Sequence, residues 1–156
     1  PPTIEMEAPH EQDLRKFAIQ RLKKRAKKIA DLANGHGGMN DEQRHQLRIA
    51  FKKLRYALEF FAPILPRKPL QAYLAVLANI QDLLGQFNDL AVATQRIASL
   101  TRQNELPPLI RGWFAGRTHL LVQLLDEEVY RFLKLSAPWS SAGSRPTRTT
   151  QKSAKR

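Results

Sequence analysis

Apolar residues recur at steps of three and four positions along most of the chain, which is the period of an α-helix that buries one face. The pattern is clearest in the segment HQLRIAFKKLRYALEFF, which begins at His45. Its predicted apolar face consists of Leu47, Phe51, Leu54, Leu58 and Phe61. A second set of positions, also at helical steps, falls within about 80° of arc beside that face. This set, the His45 row, consists of His45, Arg48, Lys52, Arg55 and Glu59.

The same periodicity predicts four helices, over about residues 11–33, 41–62, 70–101 and 109–135. A glycine-rich turn ends the first helix, Asn40 or Asp41 caps the second, and prolines separate the others. The fourth helix is predicted to turn Trp113, Leu120, Leu124, Val129 and Phe132 toward the core. No alternating strand pattern of useful length is present. The predicted fold class is therefore all-α, an antiparallel bundle of about four long helices joined by short loops.

The composition divides the chain into three parts. Residues 10–135 carry the helical pattern and are long enough for one domain with its own core. Residues 1–9 are proline-rich and poorly patterned, so they are predicted to be disordered. Residues 136–156 are rich in Ser, Thr and Pro, contain no acidic residue and hold five Lys and Arg. Such a segment cannot bury enough apolar surface to order itself, which predicts a disordered basic tail.

Charge narrows the choice of partner. The chain has 26 Lys and Arg against 14 Asp and Glu, a formal net charge of +12. Only five of these cations lie in the tail, so the helical part is basic in its own right. Such a field favours nucleic acid, a phosphate polymer or an acidic membrane surface as partner, although excess charge also simply keeps a protein in solution.

A second basic row lies on the first helix. This Arg21 row consists of Arg21, Lys24, Arg25 and Lys28. If the first two helices pack antiparallel, the two rows are predicted to border one groove with eight candidate cations. Guanidinium groups bind phosphate oxygens through paired hydrogen bonds and lysine acts as a mobile point charge, so the mixture suits a repeated phosphate chain. The alternative is that either row is an ordinary solvated helix face.

The sequence gives no support for catalysis or for a cofactor. It has no cysteine, and its four histidines show no pair at metal-ligand spacing. Phosphate-binding glycine loops, nucleophile elbows and acidic clusters for magnesium are also missing. The longest apolar stretches fall far short of the ~20 residues that a membrane helix needs. We therefore expect a binding protein without catalytic residues, metal or cofactor, placed in the reducing cytoplasm.

Several polar residues have two interpretations at this stage. His45 is either a capping or packing residue or a neutral or protonated donor to phosphate. Gln81, Asn88 and Asp89 either orient the basic side chains through hydrogen bonds across the bundle or belong to the ordinary polar surface. Glu59 either pairs with Arg55 and shapes the row or satisfies a local charge.

Two sequence blocks resemble a known family. RHQLRIAFKKLRYALEFF has the form HxxRxxxKxLRYxxE, and LANIQDLLGQFNDLAVA follows about twenty residues later with an LQxxLGxxND-like form. Together they resemble the CHAD family, the conserved histidine α-helical domains, over roughly residues 21–97. In the second block Gln81, Leu84, Gly85, Asn88 and Asp89 occupy the family positions, and Ile80 stands where leucine is usual.

The resemblance implies an all-helical domain that binds inorganic polyphosphate through basic residues of a central groove, in proteins often associated with polyphosphate granules. It points to His45, Arg48, Lys52 and Arg55, with Lys53 and Tyr56 also inside the motif. Full members resemble two related helical halves, and this chain resembles the C-terminal half. That difference predicts either a homodimer or pairing with an N-terminal half.

The leading hypothesis is therefore noncatalytic polyphosphate binding by the two basic rows, at polyphosphate granules. The alternative is a nucleic-acid-binding helical protein that uses the same basic surface. Few aromatic residues are interleaved with the cations along the sequence, which disfavours base stacking. No helix-turn-helix or RNA-binding signature is present.

Overall fold

Four α-helices make up the protein in the computed structural model, which describes residues 11–34, 39–101 and 105–140. They are α1 (Glu11–Ala33), α2 (Asp41–Phe60), α3 (Arg67–Leu100) and α4 (Pro108–Lys134), with a short 3₁₀ turn over Ala62–Ile64. No strand occurs in the described ranges. The predicted all-α fold with four long helices is confirmed, and the predicted helix ends are correct to within three residues.

Local chemistry explains where α2 and α3 begin. Asn40 caps α2: its side chain accepts a hydrogen bond from the backbone N–H of Gln43, and the Gln43 side chain accepts one from the backbone N–H of Asn40. This reciprocal capping satisfies two donors that have no partner inside the helix. The start of α3 lies at Arg67, three residues before the predicted one. Pro69 is tolerated there because N–H groups in the first helical turn have no carbonyl partner to lose.

Consecutive helices pack antiparallel. Phe17, near the start of α1, contacts Phe61, directly after α2, with ring centroids 6.4 Å apart. On α2 and α3, Arg55 reaches Gln81, whereas the earlier Arg44 lies over the later Phe87. The same reversal relates α3 and α4, where Gln86 meets Arg117 and Asn79 meets Glu128. As a result α2 lies between α1 and α3, with one flank against each.

The apolar face predicted for α2 is confirmed, since all five of its residues are buried. At the centre of the core, Phe51 of α2 and Tyr73 of α3 both contact the ring of Phe132 on α4, with centroids 5.2 and 4.9 Å away. Burial raises the pKa of the Tyr73 phenol well above its ordinary value. The core therefore joins α2, α3 and α4 around three aromatic rings.

The predicted inward face of α4 is wrong over its first four turns. Trp113, Leu120 and Leu124 are 63%, 44% and 39% exposed. Their neighbours Phe114, Leu121 and Leu125 are buried instead, whereas Val129 and Phe132 are buried as predicted. Each misassigned residue belongs to an apolar pair of adjacent residues, whose members lie about 100° apart on a helix. Periodicity alone does not decide which member of such a pair faces α3.

The packed structure continues beyond α4. Trp139 is buried, and its ring lies 5.7 Å from that of Tyr73. Pro138 is also fully buried, and a backbone hydrogen bond from Ser140 to Ala137 closes a turn around the two residues. The prediction of a disordered tail beginning at Ser136 is therefore wrong for this stretch, because an aromatic ring packs on the core without a helix to carry it. Residues 1–9 and 141–156, also predicted to be disordered, lie outside the described residues.

Candidate anion-binding site

The main candidate site is a cleft between α2 and α3. We call the whole space the α2–α3 cleft, and its first part has a volume of about 310 Å³. The residues that line this part are Arg48, Lys52, Arg55, Tyr56, Glu59 and Gln81. A second space of about 250 Å³ continues toward the start of α2, where Arg48, His45 and Asn88 are among the lining residues. Since Arg48 lines both spaces, the cleft follows the His45 row along α2.

Arg55 is held in place on the wall of this cleft. Its Nε donates a hydrogen bond to Glu59 Oε1 at 2.9 Å, and its Nη1 donates one to Gln81 Oε1 at 2.7 Å. The spacing of four residues predicted the contact with Glu59. The contact with Gln81 on α3 agrees with the interpretation that Gln81 orients a basic side chain across the bundle. Two fixed nitrogens leave Nη2 without a hydrogen bond among the described residues. A guanidinium oriented in this way loses little side-chain freedom when it binds a phosphate.

Arg48 and Lys52, the other two cations in the first part of the cleft, have no carboxylate partner among the described residues. Arg48 is half-buried and Lys52 is exposed. Within the described ranges neither forms an ion pair, whereas Arg55 pairs with Glu59. In the first part of the cleft three cations therefore face one carboxylate, so this part carries a net positive charge and attracts anions.

Arg44 also lines the cleft near the start of α2, and the sequence analysis did not include it. Its guanidinium bonds to the Asp41 carboxylate and to the backbone carbonyl of Met39, and it lies 4.7 Å from the ring centroid of Phe87. The spacing of three residues between Asp41 and Arg44 was the available signal, because it is typical of an ion pair on a helix. Because Asp41 balances the charge of Arg44, this residue adds little net charge to the cleft. Its contacts instead hold the start of α2 in place.

The Arg21 row does not face the α2–α3 cleft. Arg21 and Arg25 instead line a space of about 410 Å³ on the opposite flank of α2, which we call the α1–α2 cleft. Arg25, Lys28 and Lys53 line a smaller space of about 170 Å³ farther along the same flank. Lys24 is exposed and lies about 150° around α1 from the buried Leu22 and Ile29.

The prediction that the two rows border a single groove is therefore wrong. Antiparallel packing of α1 and α2 was correctly expected, but α1 packs on the flank of α2 that carries Lys53. The His45 row lies on the other flank, where α3 packs. Consequently α2 forms a ridge between two clefts, and the ring of Tyr56 lines both of them.

The remaining polar candidates are dispersed. His45 is exposed and lines the cleft together with Arg48 and Asn88. Asp89, one residue farther along α3, is rotated by about 100° from Asn88 and is exposed. No hydrogen bond joins Asn88 or Asp89 to a cation within the part of the chain that the structure describes. These two residues are therefore not seen to orient the basic row.

Two features are absent from the described residues. No group of three or more His, Asp or Glu side chains there is arranged to hold a metal ion. None of the helices there combines the length and the apolar character needed to cross a membrane. His119 lies on α4, where its ring contacts Gln123 at 3.3 Å.

Fold and site together define a helical bundle with a cationic cleft between two antiparallel helices. A comparison with protein-family models matches the CHAD domain over residues 2–98, more than half of the chain. The chain therefore belongs to the CHAD domain family. CHAD domains are associated in general with polyphosphate binding, and they are generally binding domains. No curated protein and no solved structure gave a significant match.

Proposed function

We propose that this chain binds inorganic polyphosphate in the α2–α3 cleft and catalyses no reaction. The observation that carries the proposal is the alignment of Arg48, Lys52 and Arg55 on one wall of a continuous cleft. Family membership supports the choice of polyphosphate among the possible anions. His45 extends the row as a donor to phosphate.

The spacing of the cations supports a polymer as ligand rather than a single phosphate. Arg48 and Arg55 are seven residues apart, which is about 10 Å along the helix axis at 1.5 Å per residue. A single phosphate group cannot bridge that distance, whereas successive phosphates of one chain can contact both guanidinium groups. Arg55 is already oriented by Glu59 and Gln81, which lowers the entropy cost of binding.

The other cations that the sequence predicted to bind polyphosphate lie outside the α2–α3 cleft and act at longer range. Arg21, Lys24, Arg25, Lys28 and Lys53 lie on α1 or on the α1-facing flank of α2, outside the α2–α3 cleft. They raise the positive potential around the ridge and speed the encounter with a polyanion, an effect that falls as salt rises.

Titration with polyphosphates of graded length tests the proposal. We expect long chains to bind far more tightly than orthophosphate or ATP. Replacing both Arg48 and Arg55 by alanine should remove most of that length preference and leave the helical content unchanged. The matched control is Lys23→Ala with Lys27→Ala, which removes two exposed charges from the far side of α1. Equal losses in the two double variants would contradict a localised site and indicate attraction by net charge alone.

Competition tests the choice of polymer. Retention on immobilised polyphosphate despite excess duplex DNA supports the proposal, and displacement by DNA would favour the nucleic-acid alternative. We also propose that the protein resides at polyphosphate granules in the cytoplasm. Co-localisation of a fluorescent fusion with stained granules, lost in the Arg48→Ala, Arg55→Ala variant, tests that part.

A further inference from the structure

Three exposed aromatic rings meet in the α1–α2 cleft. Phe17 of α1 is 48% exposed, and Tyr56 and Phe60 of α2 are 62% and 78% exposed. All three line the same space of about 410 Å³. Large apolar side chains left in water at one place commonly mark a binding surface, whereas isolated ones do not.

Cations accompany these rings. Arg21, Arg25 and Lys53 line the same cleft, and no acidic residue is among its lining residues. The guanidinium carbon of Arg21 lies 5.1 Å from the ring centroid of Phe17. The site therefore offers both positive charge and open aromatic faces.

This combination differs from that of the α2–α3 cleft. In the first part of that cleft the lining residues are cations, one carboxylate and one amide, with Tyr56 as the one ring. Polyphosphate has no apolar or aromatic surface, so it would leave the exposed surfaces of Phe17 and Phe60 uncovered. A ligand that uses the whole α1–α2 cleft must carry both negative charges and flat apolar groups.

We infer that the α1–α2 cleft binds single-stranded nucleic acid. Unpaired bases stack on exposed aromatic side chains while the backbone phosphates follow neighbouring cations, which is how many single-strand-binding proteins work. In this site Arg21, Arg25 and Lys53 contact phosphates, and bases stack on Phe60 and Tyr56. A duplex does not fit this chemistry, because its base faces are stacked inside the helix.

A single strand fits better than an anionic membrane. Aromatic side chains that anchor a protein at a bilayer project from its surface into the lipid. Here the rings line a cleft between two helices together with three cations, an arrangement that suits a strand with phosphates along its backbone. Few aromatic residues are interleaved with the cations along the sequence, but the packing of α1 on α2 brings Phe17 to the same cleft as Tyr56 and Phe60.

Binding of a fluorescently labelled oligouridylate to the full chain, followed by anisotropy at fixed salt, tests the inference. The principal variant is Phe60→Ala, because Phe60 lines the α1–α2 cleft but is not among the residues lining the α2–α3 cleft. We expect its affinity to fall at least about fivefold, the lower end for losing one stacked base. Phe60→Tyr keeps a ring and should retain the affinity. The matched control is Tyr130→Ala, since Tyr130 is 63% exposed and also lies beside a cation, Lys134.

Three further measurements test base stacking, the separateness of the two sites and a lipid surface as the ligand. An abasic oligonucleotide of equal length should bind more weakly than oligouridylate, and equal binding would overturn base stacking. The Arg48→Ala, Arg55→Ala variant should keep its affinity for oligouridylate, and loss of that affinity would overturn a separate site. Vesicles of phosphatidylcholine and phosphatidylglycerol serve as the membrane probe. Vesicle binding that needs Phe60, combined with oligouridylate binding that does not, would overturn the inference in favour of a lipid surface.

Discussion

Replacing Glu59 by glutamine should tighten polyphosphate binding in the α2–α3 cleft. Glu59 is the one carboxylate among the residues that line the first part of the cleft, and its Oε1 accepts the hydrogen bond from Arg55 Nε. A glutamine side chain of nearly equal shape keeps an oxygen for that hydrogen bond but removes the negative charge. The substitution therefore separates two effects of Glu59, which are positioning of Arg55 and repulsion of an anionic ligand.

The expected size of the effect follows from the geometry. Glu59 Oε1 lies 2.9 Å from Arg55 Nε. A phosphate bound at the open edge of the guanidinium would lie about 6 Å from the carboxylate, where Coulomb's law gives about 0.7 kcal/mol of repulsion in water. At half that dielectric constant the repulsion is about 1.4 kcal/mol. Removing it should lower the Kd about three- to tenfold, since 1.4 kcal/mol corresponds to a factor of ten.

Isothermal titration with long-chain polyphosphate at low and high salt measures this change. The gain should shrink as salt rises, because the repulsion is screened. Thermal unfolding should hardly change, since the two side chains are 42% and 47% exposed and such a pair contributes about 0.3–0.5 kcal/mol. Glu59→Ala, which removes the acceptor as well, should gain less than Glu59→Gln. An unchanged or higher Kd for a normally folded Glu59→Gln protein would refute a phosphate at Arg55.

Four further predictions concern the orientation of Arg55, the packing of the core, the stability at alkaline pH and the oligomeric state. Gln81→Leu should weaken polyphosphate binding about two- to tenfold without loss of helix, because Arg55 loses an orienting hydrogen bond; titration measures this. Trp139→Ala should lower the free energy of unfolding by about 3–5 kcal/mol in urea denaturation, whereas Trp113→Ala should change it by less than about 0.5 kcal/mol. Because burial raises the pKa of Tyr73, its contribution to stability is complete below the unfolded-state pKa near 10 and is lost as pH rises above it. Tyr73→Phe should therefore flatten the alkaline loss of stability above about pH 10 in urea titrations. If two copies pair, light scattering should detect a dimer at the concentrations at which polyphosphate binds tightly.

Each of these predictions has a contrary outcome. Unchanged affinity in Gln81→Leu would mean that Arg55 needs no orientation from α3. Similar stability losses for the two tryptophan variants would contradict the packing of Trp139 on the core. If the stability of the Tyr73→Phe variant falls equally steeply at alkaline pH, groups other than Tyr73 cause that loss. A strict monomer that binds long-chain polyphosphate tightly would contradict the predicted homodimer.

The sequence was sufficient for the helices and for most of the core, because the chain keeps one period over long segments. It was insufficient where two apolar residues are adjacent, as at Trp113 and Phe114, since either can face the core. It also failed at Trp139, whose burial depends on the position of Tyr73 and not on any local pattern. Boundary errors at α3 arose because prolines end a helix in its interior but are accepted in its first turn.

Site prediction was more limited, for a geometric reason. Periodicity correctly placed the His45 row on one stripe and identified Glu59 as a neighbour of Arg55. It could not show which flank of α2 faces α1, so the Arg21 row was assigned to the wrong cleft. The aromatic cluster was also missed, because Phe17 and Phe60 come together only when two helices pack antiparallel. Contacts within one helix are encoded in spacing, whereas contacts between helices depend on packing.

The ring of Tyr56 forms part of the wall of both clefts. If both proposed ligands bind, a ligand that rotates this ring in one cleft would change the shape of the other and would link the two affinities thermodynamically. Linkage is reciprocal: if polyphosphate alters the affinity for a second ligand by some factor, that ligand alters the affinity for polyphosphate by the same factor. A single exposed side chain on the ridge would thereby make this small bundle a device in which one polyanion reports on the presence of another.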